Sequence, residues 1–562
     1  MLLTSSLFII LSNAVSVFTK TSLLYSRITN ITLLTGCFLI YIGYNELELS
    51  LCGGLVHFNY TIQTFSFFIL LVSALILNLT SYFPYVIKKD ELIPVSPQGE
   101  PAGGVGEINN SPIKKDALKI ITNKEKYLNS IFKQFKITEY SVIILLVVIG
   151  ATFLISSLDL VSIFLCIELQ SYGLYILCTI NKDSESSTAA GLTYFLLGSL
   201  ASCLILLGQG FLYANTGNTN LENFQVITSL SDTSLFSNIN YIFFCMQLSL
   251  VILSVGFLFK ISASPFHFWS PDVYDAIPTI VTTFVAIVAK ISILILLLEL
   301  INYTYKDIIN YNWTNVLLLS SLLSLLVGTI LGLTQTRLKR LYAYSTISHV
   351  GYILLALSIY SAESLQAFFF YLIQYSLSNV NIFFITLLIG YSFFLYKKEN
   401  NNNYLIDKSI NKLEIYNSPL QLISQLKGYF YVNPMLALSL SIALFSFVGI
   451  PPLTGFFAKQ MVLSAALNKG YIFITFVAIL TSVISAVYYL MIIKEMFFAD
   501  KTSTEVSSSD TSLITSLNTK LSITMSDHLV DIISILTLLI LTFILFIKLP
   551  INFFYIVSYM VF

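Results

Sequence analysis

The chain has 562 residues, of which 56% are hydrophobic and only 10% charged, and its mean hydropathy is +0.82. So little polar surface excludes a soluble globular protein and leaves one that crosses a membrane many times. The 29 basic and 29 acidic residues balance, so net charge points to no nucleic acid, and membrane lipids are the expected surroundings.

The opening run MLLTSSLFIILSNAVSVFTK carries no charge before Lys20. A signal peptide opens on basic residues and an organellar transit peptide is rich in arginine, so no cleavage is expected. A spanning helix needs about 20 mostly apolar residues, and about fourteen segments qualify. In chain order they are residues 3–19, 29–46, 61–83, 140–157, 159–181, 187–214, 240–271, 277–301, 313–334, 341–360, 364–396, 434–466, 470–498 and 530–557. The expected fold class is an all-α polytopic membrane protein.

Three polar inserts interrupt these spans. Residues 84–138 contain PVSPQGEPAGGVGEINNSP, 397–432 contain ENNNNY, and 499–529 are rich in Ser and Thr. They hold too few apolar residues for a core and read as flexible linkers. The alternative is that they strap neighbouring subunits, with ITNKEKYLNSIFKQFK as a candidate surface helix.

Number each loop by the helix it follows. Then 22 of the 29 basic residues fall in odd loops, among them Lys20, Arg27, Arg337, Lys339 and Arg340, and two, Lys306 and Lys469, in even loops. One missed span would scramble that asymmetry. By the positive-inside rule both termini lie on the non-basic side.

Four charged residues stand inside hydrocarbon: Glu168 in DLVSIFLCIELQSYGLYIL, Lys260 in LSLVILSVGFLFKIS, Lys290 in VTTFVAIVAKISILILLL and Lys459 after GIPPLTGFFAK. An ionised side chain at bilayer depth costs about 3 kcal/mol on insertion scales, and is kept where it pairs, meets water or moves protons. Four of them over four segments point to an ion path.

Proline breaks two of these segments, Pro265 in FKISASPFHFWSP and Pro451 with Pro452 in SFVGIPPLTGFFAK. Freed backbone groups are tolerated in a membrane where they line a cavity or find new partners. Let residues 139–301 and 302–498 be two five-helix units, preceded by three helices in 1–83 and followed by one in 530–562. The broken helix is then the fourth member of each unit. Five being odd, the second unit is inverted, the pattern that marks a transport site. The bland alternative is a kink with a snorkelling lysine, but neither lysine lies near a predicted helix end. His267, Trp269, Asp272 and Asp275 read as shaping the loop at the first break, and Asp159, Glu299 and Glu495 as interfacial groups. The six cysteines lack CxxC or Cys/His spacing, and no GxGxxG opens a helix. No metal or redox cofactor is expected on this chain.

The runs IELQSYGLYIL, FKISASPFHFWSPDVYDAIPTIVTTFVAIVAKISIL, QTRLKRLYAYSTISHVGYILLA and FSFVGIPPLTGFFAKQMVL cover much of residues 140–500. Here the chain resembles the antiporter-like membrane subunits of respiratory complex I, the H⁺-translocating NADH:ubiquinone oxidoreductase. The resemblance implies fourteen helices with two inverted units, a place in the mitochondrial inner membrane, termini on the intermembrane side and long loops in the matrix. It sets the family's fifth-helix glutamate on Glu168 and its seventh-, eighth- and twelfth-helix lysines on Lys260, Lys290 and Lys459. A lysine on the twelfth helix favours the chain 2 branch over chain 4, and the lateral helix of chain 5 is missing. Thr193 departs from the family pattern, standing where relatives often have lysine. NADH, FMN, iron–sulfur clusters and ubiquinone would reside in partner subunits, and chains 4L and 4 would be direct neighbours.

The residues then suggest a relay. Burial disfavours an ammonium and a neighbouring carboxylate favours it, so Glu168 and Lys260 titrate as a unit. With Glu168 ionised Lys260 holds its proton; with Glu168 neutralised or withdrawn, the proton moves towards Lys290. His349, in AYSTISHVGYI, would relay between the units, since imidazole titrates near neutral pH, and Lys459 would be the exit group. A stand-alone cation/proton antiporter subunit and a structural scaffold with a disused channel are the alternatives.

Overall fold

Within hydrocarbon a helix satisfies its backbone hydrogen bonds from its own residues, which makes it the default spanning element. The computed structural model describes residues 1–15, 22–43, 49–80, 85–86, 139–181, 184–233, 237–304, 313–399, 420–498, 523–524 and 527–561. The stretch 121–136, offered as a surface helix, and most of the inserts 84–138 and 499–529 lie outside these residues.

The helices, in chain order, are α1 Leu2–Val15, α2 Ser22–Ile42, α3 Tyr60–Thr80, α4 Glu139–Ser156, α5 Leu160–Cys178, α6 Glu185–Thr216, α7 Leu221–Thr233, α8 Ser237–Ile261, α9 Trp269–Ala276 and α10 Thr279–Ala286. There follow α11 Val288–Thr304, α12 Thr314–Leu333, α13 Leu338–Ile359, α14 Ala362–Glu399, α15 Pro434–Val448, α16 Thr454–Asn468, α17 Ile472–Phe497, α18 Asp527–Phe546 and α19 Lys548–Val561. Strand β1 Leu49–Leu51 pairs antiparallel with β2 Val56–Phe58, and β3 Tyr85–Val86 with β4 Ile523–Thr524. Ten helical segments among the described residues are long and apolar enough to cross a membrane; Leu2–Ser12, Tyr140–Ser156 and Pro434–Val448 are shorter apolar helices.

Burial sorts these helices into a centre and a rim. Along an 18-residue stretch of Thr279–Thr304 every residue is buried, and along one of Leu338–Ile359 94% are, whereas in Ile472–Phe497 and Leu529–Phe546 the shares are 39% and 28%. Helices α10, α11 and α13 therefore form the interior, where a polar side chain meets protein rather than lipid.

Both proline-bearing segments are interrupted. Helix α8 stops at Ile261, with Ser262 left-handed at φ +66°. The Ser262 amide donates to Phe259 O and the Ala263 amide to Leu258 O, the paired bonds of a Schellman ending. Helix α15 stops at Val448, with Gly449 left-handed at φ +88°.

Several spans differ from expectation. The second runs Ser22–Ile42 rather than 29–46, which puts Arg27 inside the helix. Helix α7 occupies a stretch read as loop. The last span is two helices, because Pro550 in the first turn of α19 cannot continue α18 past Phe546. Residues 420–432 are not a free linker: the amides of Leu338 and Ile423 donate to Gln421 O and Thr336 O, and Leu420, Ile423, Leu426 and Tyr429 are buried. The short connection at Leu158 and Asp159 is as read, with Asp159 capping α5 by accepting from the Val161 amide at 3.3 Å.

Candidate functional site

Helices α5, α6 and α8 bring the first charged pair together. Lys260, on the last turn of α8, places Nζ 3.4 Å from Glu168 Oε1 of α5, with the two side chains 5% and 13% exposed. Ser202 of α6 donates to the same carboxylate oxygen at 2.5 Å. Lys260 also donates to the Tyr175 hydroxyl at 3.4 Å, one side of an aromatic stack in which Tyr194 meets Tyr175 edge-on and lies flat on Trp269. Tyr175 reaches Lys260 because α6 carries Gly198 at the crossing: a Cβ there would stand 1.9 Å from the Tyr175 oxygen. The Trp269 indole N–H spans the break, donating to Phe259 O at 3.0 Å. The Phe259 carbonyl, which also accepts from the Ser262 amide, thus ties the two sides of the break together.

Lys290 is 2% exposed on α11. Its Nζ donates to Thr346 Oγ1 of α13 at 3.2 Å and lies 5.8 Å from the centre of the Tyr274 ring. Gln170 and Ser292, buried and hydrogen-bonded at 3.1 Å, tie α5 to α11 two residues beyond Glu168 and Lys290.

Thr346 is the first of three aligned positions on α13. His349, one turn on, sits between two hydroxyls, with Nδ1 2.8 Å from Tyr371 Oη and Nε2 3.2 Å from Tyr489 Oη. A neutral imidazole in that site donates to one hydroxyl and accepts from the other. Tyr352, a further turn along, stacks on Tyr371, and the Lys459 ammonium lies 5.6 Å from its ring centre. Helix α13 is therefore a polar spine that touches Lys290 at one end and Lys459 at the other.

Lys459 has a partner of another kind. Its Nζ donates to Phe447 O and Val448 O, both at 2.9 Å. These are carbonyls left open where α15 ends, and a cation suits the negative end of a helix dipole. The second break thus holds its lysine by backbone, the first by carboxylate.

The structure brings Glu168 and Lys260 into one contact, and connects Lys290, His349 and Lys459 through α13 rather than directly. Ser202, Tyr175, Thr346, Tyr371 and Tyr489 escape a reading that looks for charges; only the three-residue spacing of Thr346, His349 and Tyr352 on one helix face could have flagged the spine. Asp272 and Asp275 do shape the loop at the first break, pairing with Arg340 at 2.7 Å and Arg337 at 2.6 Å. Thr193 lies on the exposed face of α6, bonded to Ala190 O of its own helix. Glu299, expected near an interface, is 6% exposed on α11, five residues before that helix ends at Thr304. One expectation fails. Lys339 is not a loop cation: α13 begins at Leu338, and the Lys339 side chain turns inward to donate to Ile277 O at 2.6 Å.

Residues 157–485 match the family model described as NADH:quinone oxidoreductase/Mrp antiporter, TM. The chain is 45% identical over 482 residues to NADH-ubiquinone oxidoreductase chain 2 of Rhizopus oryzae, covering 84% of this chain and 81% of that one. It is 37% identical to NADH-quinone oxidoreductase subunit N of Pelagibacter ubique, covering 67% of this chain and 72% of that one. Its fold is similar to that of a chain in respiratory complex I from Thermus thermophilus, solved with bound aureothin, with a TM-score of 0.67, 22% identity and coverage of 98% and 97% of the two chains.

Proposed function

Since the chain belongs to the NADH:quinone oxidoreductase/Mrp antiporter membrane family, we propose that it translocates protons as a membrane-arm subunit of an NADH:ubiquinone oxidoreductase, with quinone reduction and the redox cofactors in partner subunits. The observation that carries this reading is the Glu168–Lys260 contact, a carboxylate and an ammonium 3.4 Å apart among buried helix faces. In so poor a solvent neither charge is easily kept alone, so moving a proton on or off one changes the hold on the other. A withdrawn or neutralised Glu168 releases the Lys260 proton towards Lys290. Thr346, His349 and its two tyrosine hydroxyls then lead along α13 to Lys459, whose carbonyl partners accept hydrogen bonds but take no proton.

The two five-helix units, residues 139–301 and 302–498, supply one broken helix each, and the location of the breaks beside Lys260 and Lys459 supports their inverted correspondence. The charge asymmetry of the loops supports basic loops on the matrix side of the mitochondrial inner membrane and termini on the intermembrane side. Neighbours of the chain 4L and chain 4 type complete the arm.

The test is Lys260→Met in the intact complex, reconstituted in lipid vesicles, with protons moved per electron as the readout. The expected result is an assembled complex with depressed pumping and slowed coupled quinone reduction. Full stoichiometry would leave the subunit a scaffold.

A further inference from the structure

Lys339 is a second kind of buried lysine, outside the relay just described. It stands at the start of α13, 3% exposed, beside Arg337 and Arg340, which face outward to Asp275 and Asp272. Charges that can reach water ordinarily do so; Lys339 points inward, beneath the Ile277 carbonyl at the turn between α9 and α10. It lines a cavity of about 10 Å³ together with Thr279, Tyr342 and Thr386, close to the room one water needs where polar groups can hold it.

The Tyr342 hydroxyl is buried with no hydrogen-bond partner among the described residues, and so is that of Tyr274. Buried polar atoms left open in this way are ordinarily met by water. Tyr342 is one turn along α13 from Lys339, and Thr346, the acceptor of Lys290, is one turn further; Tyr274 lies against Lys290 itself. Lys339, Tyr342 and Thr346 share one helix face, spanning about 10 Å at 1.5 Å per residue.

We propose that Lys339 is a proton-carrying group that loads Lys290 from the basic side of the membrane, through water held between the Tyr342 and Tyr274 hydroxyls. A proton from basic-side water binds the Lys339 amine. The resulting ammonium releases a proton to cavity water, and the water passes one on to the Lys290 amine; nothing else is formed or broken. The Ile277 carbonyl orients the ammonium without competing for the proton. This inference rests on the proton-relay reading above and adds its entry station.

The test uses the intact complex in lipid vesicles, with the rate of NADH-driven proton uptake from the basic side as readout. Lys339→Arg keeps the charge and a donor for Ile277 O but holds its proton too tightly to pass it on, so a merely anchoring role survives it and a carrying role does not. Tyr342→Phe removes one hydroxyl and leaves the packing, so it tests the water path even where the arginine disturbs assembly. Both are expected to slow uptake by about tenfold or more, a conservative share of the roughly hundredfold or more that a positioned proton donor contributes. An assembled complex with either substitution that takes up protons at the full rate overturns the proposal. Lys290→Met, run in parallel, separates the two readings: slowed in Lys290→Met but normal in Lys339→Arg and Tyr342→Phe, the entry station fails and the relay stands; normal in Lys290→Met, the relay itself fails.

Discussion

Ser202 donates its hydroxyl to Glu168 Oε1 at 2.5 Å, nearer than the Lys260 ammonium that shares the same oxygen at 3.4 Å. The ion pair is thus a three-way contact, held from α6 as well as from α5 and α8. A hydrogen bond to a charged group contributes about 1.5–3 kcal/mol. Ser202→Ala should slow proton pumping by roughly ten- to a hundredfold, by that energy, while Ser202→Thr, which keeps the hydroxyl, should restore most of the rate. Vesicle pumping assays compare them directly, and equal rates for the alanine and the parent would show that Ser202 is idle.

Gly449 and Gly470 separate backbone strain from crowding of a lysine. Both are left-handed, at φ +88° and +85°, a conformation that costs a residue with a Cβ about 1–2 kcal/mol. A Cβ at Gly449 would lie 3.1 Å from Lys459 Cδ, whereas one at Gly470 would meet nothing within 4 Å. Thermal stability should fall to a similar extent in Gly449→Ala and Gly470→Ala. Pumping should fall only in Gly449→Ala, and an equal loss in both would mean that the crowding of Lys459 is without consequence.

What the sequence made legible depended on contrast. Lys260, Lys290 and Lys459 were readable because each interrupts hydrocarbon, and the breaks because proline cannot continue a helix. Lys339 was hidden by its neighbours: between Arg337 and Arg340 it looks like one more loop cation, and only the inward turn at the start of α13 makes it a buried one. Ser202 and Tyr175 could not be picked out at all. Serine and tyrosine recur throughout these helices, and their pairing with Glu168 and Lys260 arises from three helices meeting, which no local pattern encodes.

Asp275 and Asp272 look equivalent in sequence but not in the fold. Asp275 is 8% exposed and faces Arg337 at 2.6 Å and Arg340 at 3.3 Å, while Asp272 is 71% exposed. Exposed pairs contribute about 0–1 kcal/mol; a hydrogen bond to a charged group contributes about 1.5–3 kcal/mol, and here the carboxylate of Asp275 is buried although Arg337 and Arg340 are 46% and 40% exposed. Asp275→Asn should therefore lower the melting temperature of the detergent-purified complex or loosen the α9–α13 contact to proteolysis, and Asp272→Asn should leave both unchanged. Equal effects would remove the distinction.

The loop charges make a prediction about sidedness. If the basic loops face the matrix, protease added outside mitoplasts should spare residues 84–138 and 397–419, and protease admitted to the matrix side should cut them. Cleavage from the outside would reverse the topology and the inverted units built upon it.

Glu168 and Lys260 share one contact, so their substitutions should not act independently. Glu168→Gln removes the charge that steadies the Lys260 ammonium and leaves that ammonium buried beside Tyr175. Lys260→Met removes the carrier and leaves a buried carboxylate with Ser202 as its remaining donor in this cluster. Each single change breaks a buried pair and strands one partner, the costly outcome for such pairs. The double change strands neither. Its effect on stability and pumping should fall short of the sum of the singles by about 0.5–3 kcal/mol, the range found for residues in direct contact. Strict additivity in that cycle, measured on assembled complexes, would mean that the two groups act independently and that their contact does not control the proton.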